Sequence, residues 1–176
     1  IRKVCKVPIA FMTYANPVFS YGAGAFMRKC REVNINAVIV PDLPFEERNE
    51  FLPYCKECGI DLISLISPTS KGRIRMIAKE AQGFVYCVSS MGVTGMRDDI
   101  NPDVKEMAGL VKEVSDIPCA VGFGISTPEQ AAKMAKYFDG VIVGSAIVDI
   151  IGRYGAGCIP HVEDYVRKMK RAVNQM

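Results

Sequence analysis

Val121-Gly122-Phe123-Gly124-Ile125 and, about twenty residues later, Val143-Gly144-Ser145-Ala146-Ile147 are the two runs that decide how this chain folds. Each begins as a short apolar strand and passes straight into glycine. Glycine lets a backbone approach a ligand closely, and the free N–H groups at a helix start face an anion. Ser145, entering a short helix over residues 145–151, can add a hydroxyl donor. Two such glycine turns after the last two strands are where a (β/α) barrel commonly holds a phosphate. A nucleotide-binding open sheet would instead carry Gly-x-Gly-x-x-Gly after the first strand of its unit. Here Thr127 stands where the third glycine would be. Taken singly, each glycine could serve only a tight turn.

Working outward, the same alternation fills the chain. Strand-like runs fall at residues 7–14, 37–42, 61–66, 84–89, 118–121 and 140–143, each followed by a helical stretch. Ala37-Val38-Ile39-Val40 and Gly140-Val141-Ile142-Val143 are apolar throughout. Both faces of such strands are buried, as in a parallel sheet covered by helices. Helices are expected over 44–58, 70–82, 103–114 and 162–173, the first two ending at Gly59 and Gly83. Ser126-Thr127-Pro128-Glu129-Gln130 opens another, with proline in its first turn and an acid behind it. Residues 1–7 read as a helix tail leading into the first strand. The pattern predicts an α/β chain of the (β/α)8 barrel type, present as about six units in a single domain over 1–176. A full barrel has eight units in ~250 residues.

Bulk properties narrow the partners. Apolar residues make up 49% and charged residues 23%, and the formal net charge is +3. No basic run points to nucleic acid. No apolar run approaches the ~18 residues of a membrane span, and no secretory leader is read at the start. The seven cysteines lie mostly in apolar segments and read as buried free thiols, which implies a reducing, cytoplasmic setting. Cys55 and Cys58 form a lone C-x-x-C. Zinc would need a second pair or nearby histidines, and the only histidine is His161, so no metal site is expected. His161, after Pro160 at a helix start, is given no chemistry.

Three further loops follow strands. Residues 89–96, Ser-Ser-Met-Gly-Val-Thr-Gly-Met, form a glycine-hinged loop of the kind that closes over a ligand. Thr13-Tyr14-Ala15-Asn16-Pro17 and Pro41-Asp42-Leu43-Pro44 place polar groups at strand ends, where barrels keep their sites. Asn16-Pro17 could equally be a turn, and Asp42 a helix cap.

Together these motifs resemble the tryptophan synthase α subunit family. The resemblance rests on Met12, Tyr14, Ala15, Asn16, Val18 and Phe19; on Asp42, Pro44, Glu46 and Glu47; and on the 89–95 loop. Gly122 to Gln130 and Gly144 to Val148 complete it, in the family's order along essentially the whole chain. It implies cleavage of indole-3-glycerol phosphate to indole and glyceraldehyde 3-phosphate in tryptophan biosynthesis. It assigns the phosphate to Gly95, Gly124, Gly144 and Ser145. It assigns the indole pocket to Met12, Ile39, Tyr86, Thr94 and Phe123. The surfaces around Asn16, Pro17, Asp42 and Pro44 would meet a β subunit, and pyridoxal phosphate is expected only in that partner. Ser90 departs from the family's arginine in the closing loop. The catalytic glutamate and aspartate would lie upstream of Ile1, so the chain is expected to hold three quarters of a barrel and to be inactive alone. None of Asp98, Asp99 or Asp149 obviously replaces them. Open strand edges are expected to promote self-association. The alternative reading is a non-catalytic phosphate-binding or interaction module. A third, another phosphate-binding barrel enzyme, fits the closing loop and the Tyr-Ala-Asn-Pro string poorly.

Overall fold

A computed structural model describes residues 1–88, 102–122 and 124–174. Six short strands form one parallel sheet in strict sequence order: β1 (Ala10–Met12), β2 (Ala37–Ile39), β3 (Asp61–Ile66), β4 (Val85–Val88), β5 (Cys119–Gly122) and β6 (Gly140–Val141). Between and after them run α1 (Ala15–Tyr21), α2 (Ala23–Glu32), α3 (Leu52–Cys58), α4 (Lys71–Glu80), α5 (Pro102–Lys112), α6 (Pro128–Ala135), α7 (Ser145–Tyr154) and α8 (Ile159–Asn174). All neighbours pair parallel, so every strand ends on the same side. This is the partial (β/α) barrel expected from the sequence.

Side chains alternate across each strand, and the two faces bury different things. Val38, Leu62, Ile66, Val85, Cys87, Cys119 and Val121 face the helices. They pack with residues such as Met27, Phe51, Ile74, Met107 and Met134 in two clusters, one around β1–β3 and one around β3–β6. The opposite face carries Ala37, Ile39, Ile63 and Tyr86, with Leu65, Phe84, Val88 and Ile142 beside them. Ion pairs on the surface join neighbouring units: Arg73 with Glu46, Lys71 with Glu106, and Arg75 with Glu113 at 2.6 Å. Exposed pairs of this kind contribute little each, ~0–1 kcal/mol; burial carries the fold.

β1, β2 and β6 are shorter than expected, and four local expectations outside the strands are corrected. The helix expected over 44–58 splits into a 3₁₀ turn, Phe45–Glu50, and α3. Residues 46–50 are all polar and offer no apolar stripe, while Phe51 turns fully into the core. Gly83 does not cap α4, which stops at Glu80; it makes the positive-φ turn into β4, where an added Cβ would stand 2.9 Å from Asp61 Oδ2. Residues 1–7 form a turn, with Val4 and Cys5 N–H both donating to Ile1 O, pinned by Arg2 to the Asn34 carbonyl. The last helix starts three residues earlier than expected because Pro160 is tolerated in a first turn.

Five cysteines are buried, and Cys5 and Cys158 are half-buried. Cys55 and Cys58 lie on α3 inside the core, not at a helix start after a strand. Burial, with Cys58 and Cys30 nearby, pushes the Cys55 thiol up to about 12. It therefore stays protonated at neutral pH, unlike a reactive or metal-binding thiolate.

Phe51 is fully buried and meets the Phe19 ring at 4.9 Å. Phe51→Ala should cost about 3–5 kcal/mol of stability, seen as a large drop in the urea midpoint. A change below about 1 kcal/mol would mean that this cluster does not anchor β1–β3.

Candidate functional site

The C-terminal ends of β5 and β6 are held side by side beyond their regular pairing. The Ile142 N–H donates to the Val121 carbonyl at 2.7 Å. One residue past Val121 is Gly122; two past Ile142 is Gly144. The two glycine turns therefore emerge together.

The helices behind these turns differ in one respect that matters. α6 uses its first-turn donors internally. Thr127 Oγ1 accepts from Gln130 N–H, and Gln130 Oε1 accepts from Ser126 and Thr127 N–H at 2.8 and 3.2 Å. α7 has no side-chain cap among the described residues. Its ladder begins with Ile147 and Val148 N–H donating to Gly144 O at 2.9 and 3.2 Å. Ser145 and Ala146 precede that ladder, so their N–H groups have no carbonyl one turn back. An open helix start with exposed Gly144 and Ser145 is an anion seat by its own chemistry. A Cβ built on Gly144 meets no atom of the described residues within 4 Å. Gly124, also exposed, has φ +74, a conformation that L side chains rarely adopt.

The Gly124 turn is also fixed from behind. Tyr165 on α8 donates its hydroxyl to the Ser126 carbonyl at 2.8 Å. The sequence shows Tyr165 in helical spacing with Val162, Val166 and Met169 but not this bond. A helix can be read from spacing, but which loop its one polar tip reaches depends on tertiary packing.

Register places three of the expected pocket residues, Met12, Ile39 and Tyr86, on one face. Met12 pairs with Ile39, Ile39 with Ile63, and Tyr86 with both Leu65 and Ala120. Ile39 and Tyr86 are buried. Met12 is 57% exposed on β1, the end strand of the described sheet. Tyr86 reaches along its neighbour: a Cβ on Gly122 would stand 2.8 and 2.9 Å from the ring's Cζ and Cε1, with the hydroxyl closer still. Gly122 is thus glycine so that this phenol can lie over β5. Burial pushes the Tyr86 phenol up, which keeps it a neutral hydroxyl. Thr94, Gly95 and Phe123, with Ser90, Asp98 and Asp99, lie outside the described residues.

Asp149 pairs with Arg153 at 2.7 Å on the exposed side of α7. Asp61 starts β3, at the end opposite the site.

Asn16 and Pro17 occupy the first turn of α1, and Asp42 and Pro44 follow β2; all four are exposed. The two segments are joined: Ala15 N–H donates to Asp42 Oδ1 at 2.9 Å. Asp42 is therefore a cap, as one reading of the sequence allows, but of the helix after the neighbouring strand.

Comparison with known proteins agrees in sequence and in fold. Residues 1–175 match the family model described as tryptophan synthase alpha chain. The tryptophan synthase alpha chain of Lacticaseibacillus casei is 46% identical over 173 residues, covering 98% of this chain and 65% of that protein. That of Halalkalibacterium halodurans is 44% identical over 172 residues, covering 97% and 65%. The structure resembles a chain of the tryptophan synthase α2β2 complex of Pyrococcus furiosus, with a TM-score of 0.86 at 32% identity, covering 96% of this chain and 68% of that one. The present chain thus spans about two thirds of the length of these relatives.

Gly122→Ala should push the Tyr86 phenol out of its seat, at a cost of about 1–3 kcal/mol. Spectrophotometric titration will show it, since the chain has 7 tyrosines and no tryptophan. One more phenol should ionise with the exposed tyrosines than in the parent. An unchanged titration would mean that the ring does not depend on this glycine.

Proposed function

Because this chain belongs to the tryptophan synthase alpha chain family, we propose that it serves tryptophan biosynthesis as the lyase subunit that handles indole-3-glycerol phosphate. The observation that carries this reading is the uncapped start of α7 beside the Gly124 turn. In this reading Gly124, Gly144 and Ser145 hold the phosphate, with Gly95 contributing from the 89–101 segment. Met12, Ile39 and Tyr86, with Thr94 and Phe123, receive the indole ring. The flat apolar ring suits that face, and the Tyr86 hydroxyl is the polar group among the described residues there.

Carbon–carbon cleavage of this substrate needs an acid to protonate the ring carbon and a base to accept the substrate's protons. The resemblance places that pair in the part of the family preceding the position of Ile1. In this reading the described residues of that face supply binding, and the upstream pair supplies the proton transfers. A polypeptide of these 176 residues should hold the phosphate yet turn over at least ~10²-fold more slowly than a full-length relative.

The partner is a β subunit carrying pyridoxal phosphate, met by the exposed Asn16, Pro17, Asp42 and Pro44. The α2β2 assembly of the Pyrococcus furiosus relative supports it. Seven free cysteines support a reducing compartment, the cytoplasm. No helix among the described residues is long and apolar enough to cross a membrane.

Gly144→Val tests the phosphate seat: a Cβ there meets no described atom within 4 Å, but φ −122, ψ −75 lies outside the regions that L side chains favour, so the unfolding midpoint is followed alongside. Calorimetric binding of glycerol 3-phosphate should fall at least ~10-fold, at a temperature where the variant is still fully folded. Undiminished affinity would remove the phosphate from this place.

The end strands invite a second prediction. β1 and β6 each pair on one side in the described sheet, and Phe11, Met12, Val148 and Ile151 are exposed close by. Unpaired apolar edges recruit other chains. Sedimentation velocity on a polypeptide of these 176 residues should show mass rising with concentration. A monomer throughout, with cooperative unfolding, would contradict it.

A further inference from the structure

We propose that Asp42 is a positioning residue: its carboxylate fixes α1 through the Ala15 N–H, and it shapes the partner-facing surface by that bond rather than by touching the partner. The inference rests on the reading above that this surface meets a β chain.

The reason lies in how little else holds α1. The helix has seven residues, and Val18 is the only one buried. A helix this short does not persist alone. Its N-cap, Tyr14, makes no side-chain cap bond, and no acid lies in its first turn. Pro17 has no N–H, so Ala15 and Asn16 carry the first-turn donors that need a partner from outside the helix. Asp42 meets one of them, at 2.9 Å, and brings a negative charge to the positive end of the helix.

Asp42 is itself firmly placed. β2 ends at Ile39, a pocket residue. The Leu43 N–H then donates to Val40 O at 3.2 Å, closing a turn around Asp42. On the other side, Thr13 N–H donates to Ile39 O at 3.0 Å. The bond from Ala15 to Asp42 is thus the last rung joining the ends of β1 and β2. It carries the geometry of the pocket wall outward to Asn16 and Pro17.

The two halves of the bond can be removed separately. Asp42→Ala deletes the acceptor. Ala15→Pro deletes the donor: the position is the first of the helix, and Tyr14 at φ −82, ψ 160 already has the extended backbone that precedes proline, although the ring carbon replaces the amide hydrogen and Asp42 must turn aside. Asp42→Asn keeps an oxygen acceptor.

In the free 176-residue chain, residue-resolved hydrogen exchange should show the Ala15 amide exchanging at least ~10-fold faster in Asp42→Ala, with Asp42→Asn close to the parent. An unchanged Ala15 rate overturns the proposal. Affinity for a β chain loaded with pyridoxal phosphate supplies the second readout. Each single change should weaken binding roughly fivefold, a typical N-cap loss, and the double variant should be no worse than either. If Asp42→Ala costs the same in the Ala15→Pro background as in the parent, Asp42 contacts the partner directly and the proposal falls. If the parent chain binds no β chain while the exchange result holds, the partner reading fails and the bond stands.

Discussion

Parallel pairing in strict chain order is the constraint on which everything else here depends. A strand that pairs parallel to its predecessor must be reached by a crossover that returns the chain to the starting side. Six strands paired in this way leave every C-terminal end at one rim. The Gly124 and Gly144 turns, the Tyr86 hydroxyl, Met12, Asp42 and the first turn of α1 then share that rim, although the chain separates them by more than a hundred residues. The Ile142 to Val121 hydrogen bond at 2.7 Å and the Thr13 to Ile39 bond at 3.0 Å extend the pairing to where the loops begin. The site is thus a consequence of the sheet's register as much as of its own residues.

The rim also shows how donors are allocated. Helix starts after strands are alike in having free N–H groups, and this chain treats three of them differently. At α6 a threonine and a glutamine from the same segment consume the donors. At α1 a carboxylate arrives from the next loop. At α7 no side chain of the described residues arrives, and glycine replaces any group that would crowd the opening. Of these three, only the last leaves room for an outside anion. That contrast selects the site better than the glycines alone, which also occur at Gly59 and Gly83 with purely local duties in turns.

Much of the fold is legible because burial on both faces leaves a continuous apolar mark. β3 matches its expected span, 61–66, to the residue. β1, expected over 7–14, spans only Ala10–Met12: apolarity extends past the ladder, since the Ile9 N–H meets the Asn36 side chain and only its carbonyl accepts from the Asn36 backbone. The 44–58 segment reads as one helix from its flanking proline and glycine, but the polar run 46–50 gives it no apolar stripe and Phe51 turns inward. At the site, the glycines and Ser145 stand out from local chemistry, and their meeting follows from strand order. Tyr165 on Ser126, Tyr86 over Gly122 and Asp42 on Ala15 do not, because each joins residues 27 to 39 apart or adjacent strands whose register the sequence does not print. An aspartate just past one strand, beside a neighbouring loop whose helix lacks its own cap, is the signal that would reveal the last.

The most direct test is an amide chemical-shift titration of the chain with glycerol 3-phosphate. The largest shifts should fall on Gly124, Gly144, Ser145 and Ala146, with Tyr86 following as the rim tightens. The cleft at the opposite ends of the strands, lined by Arg2, Lys6 and Arg31, is the natural competitor for an anion, and its amides should stay still. Shifts concentrated there, with the α7 start unmoved, would show that charge alone attracts the phosphate and that the open helix start is not its seat.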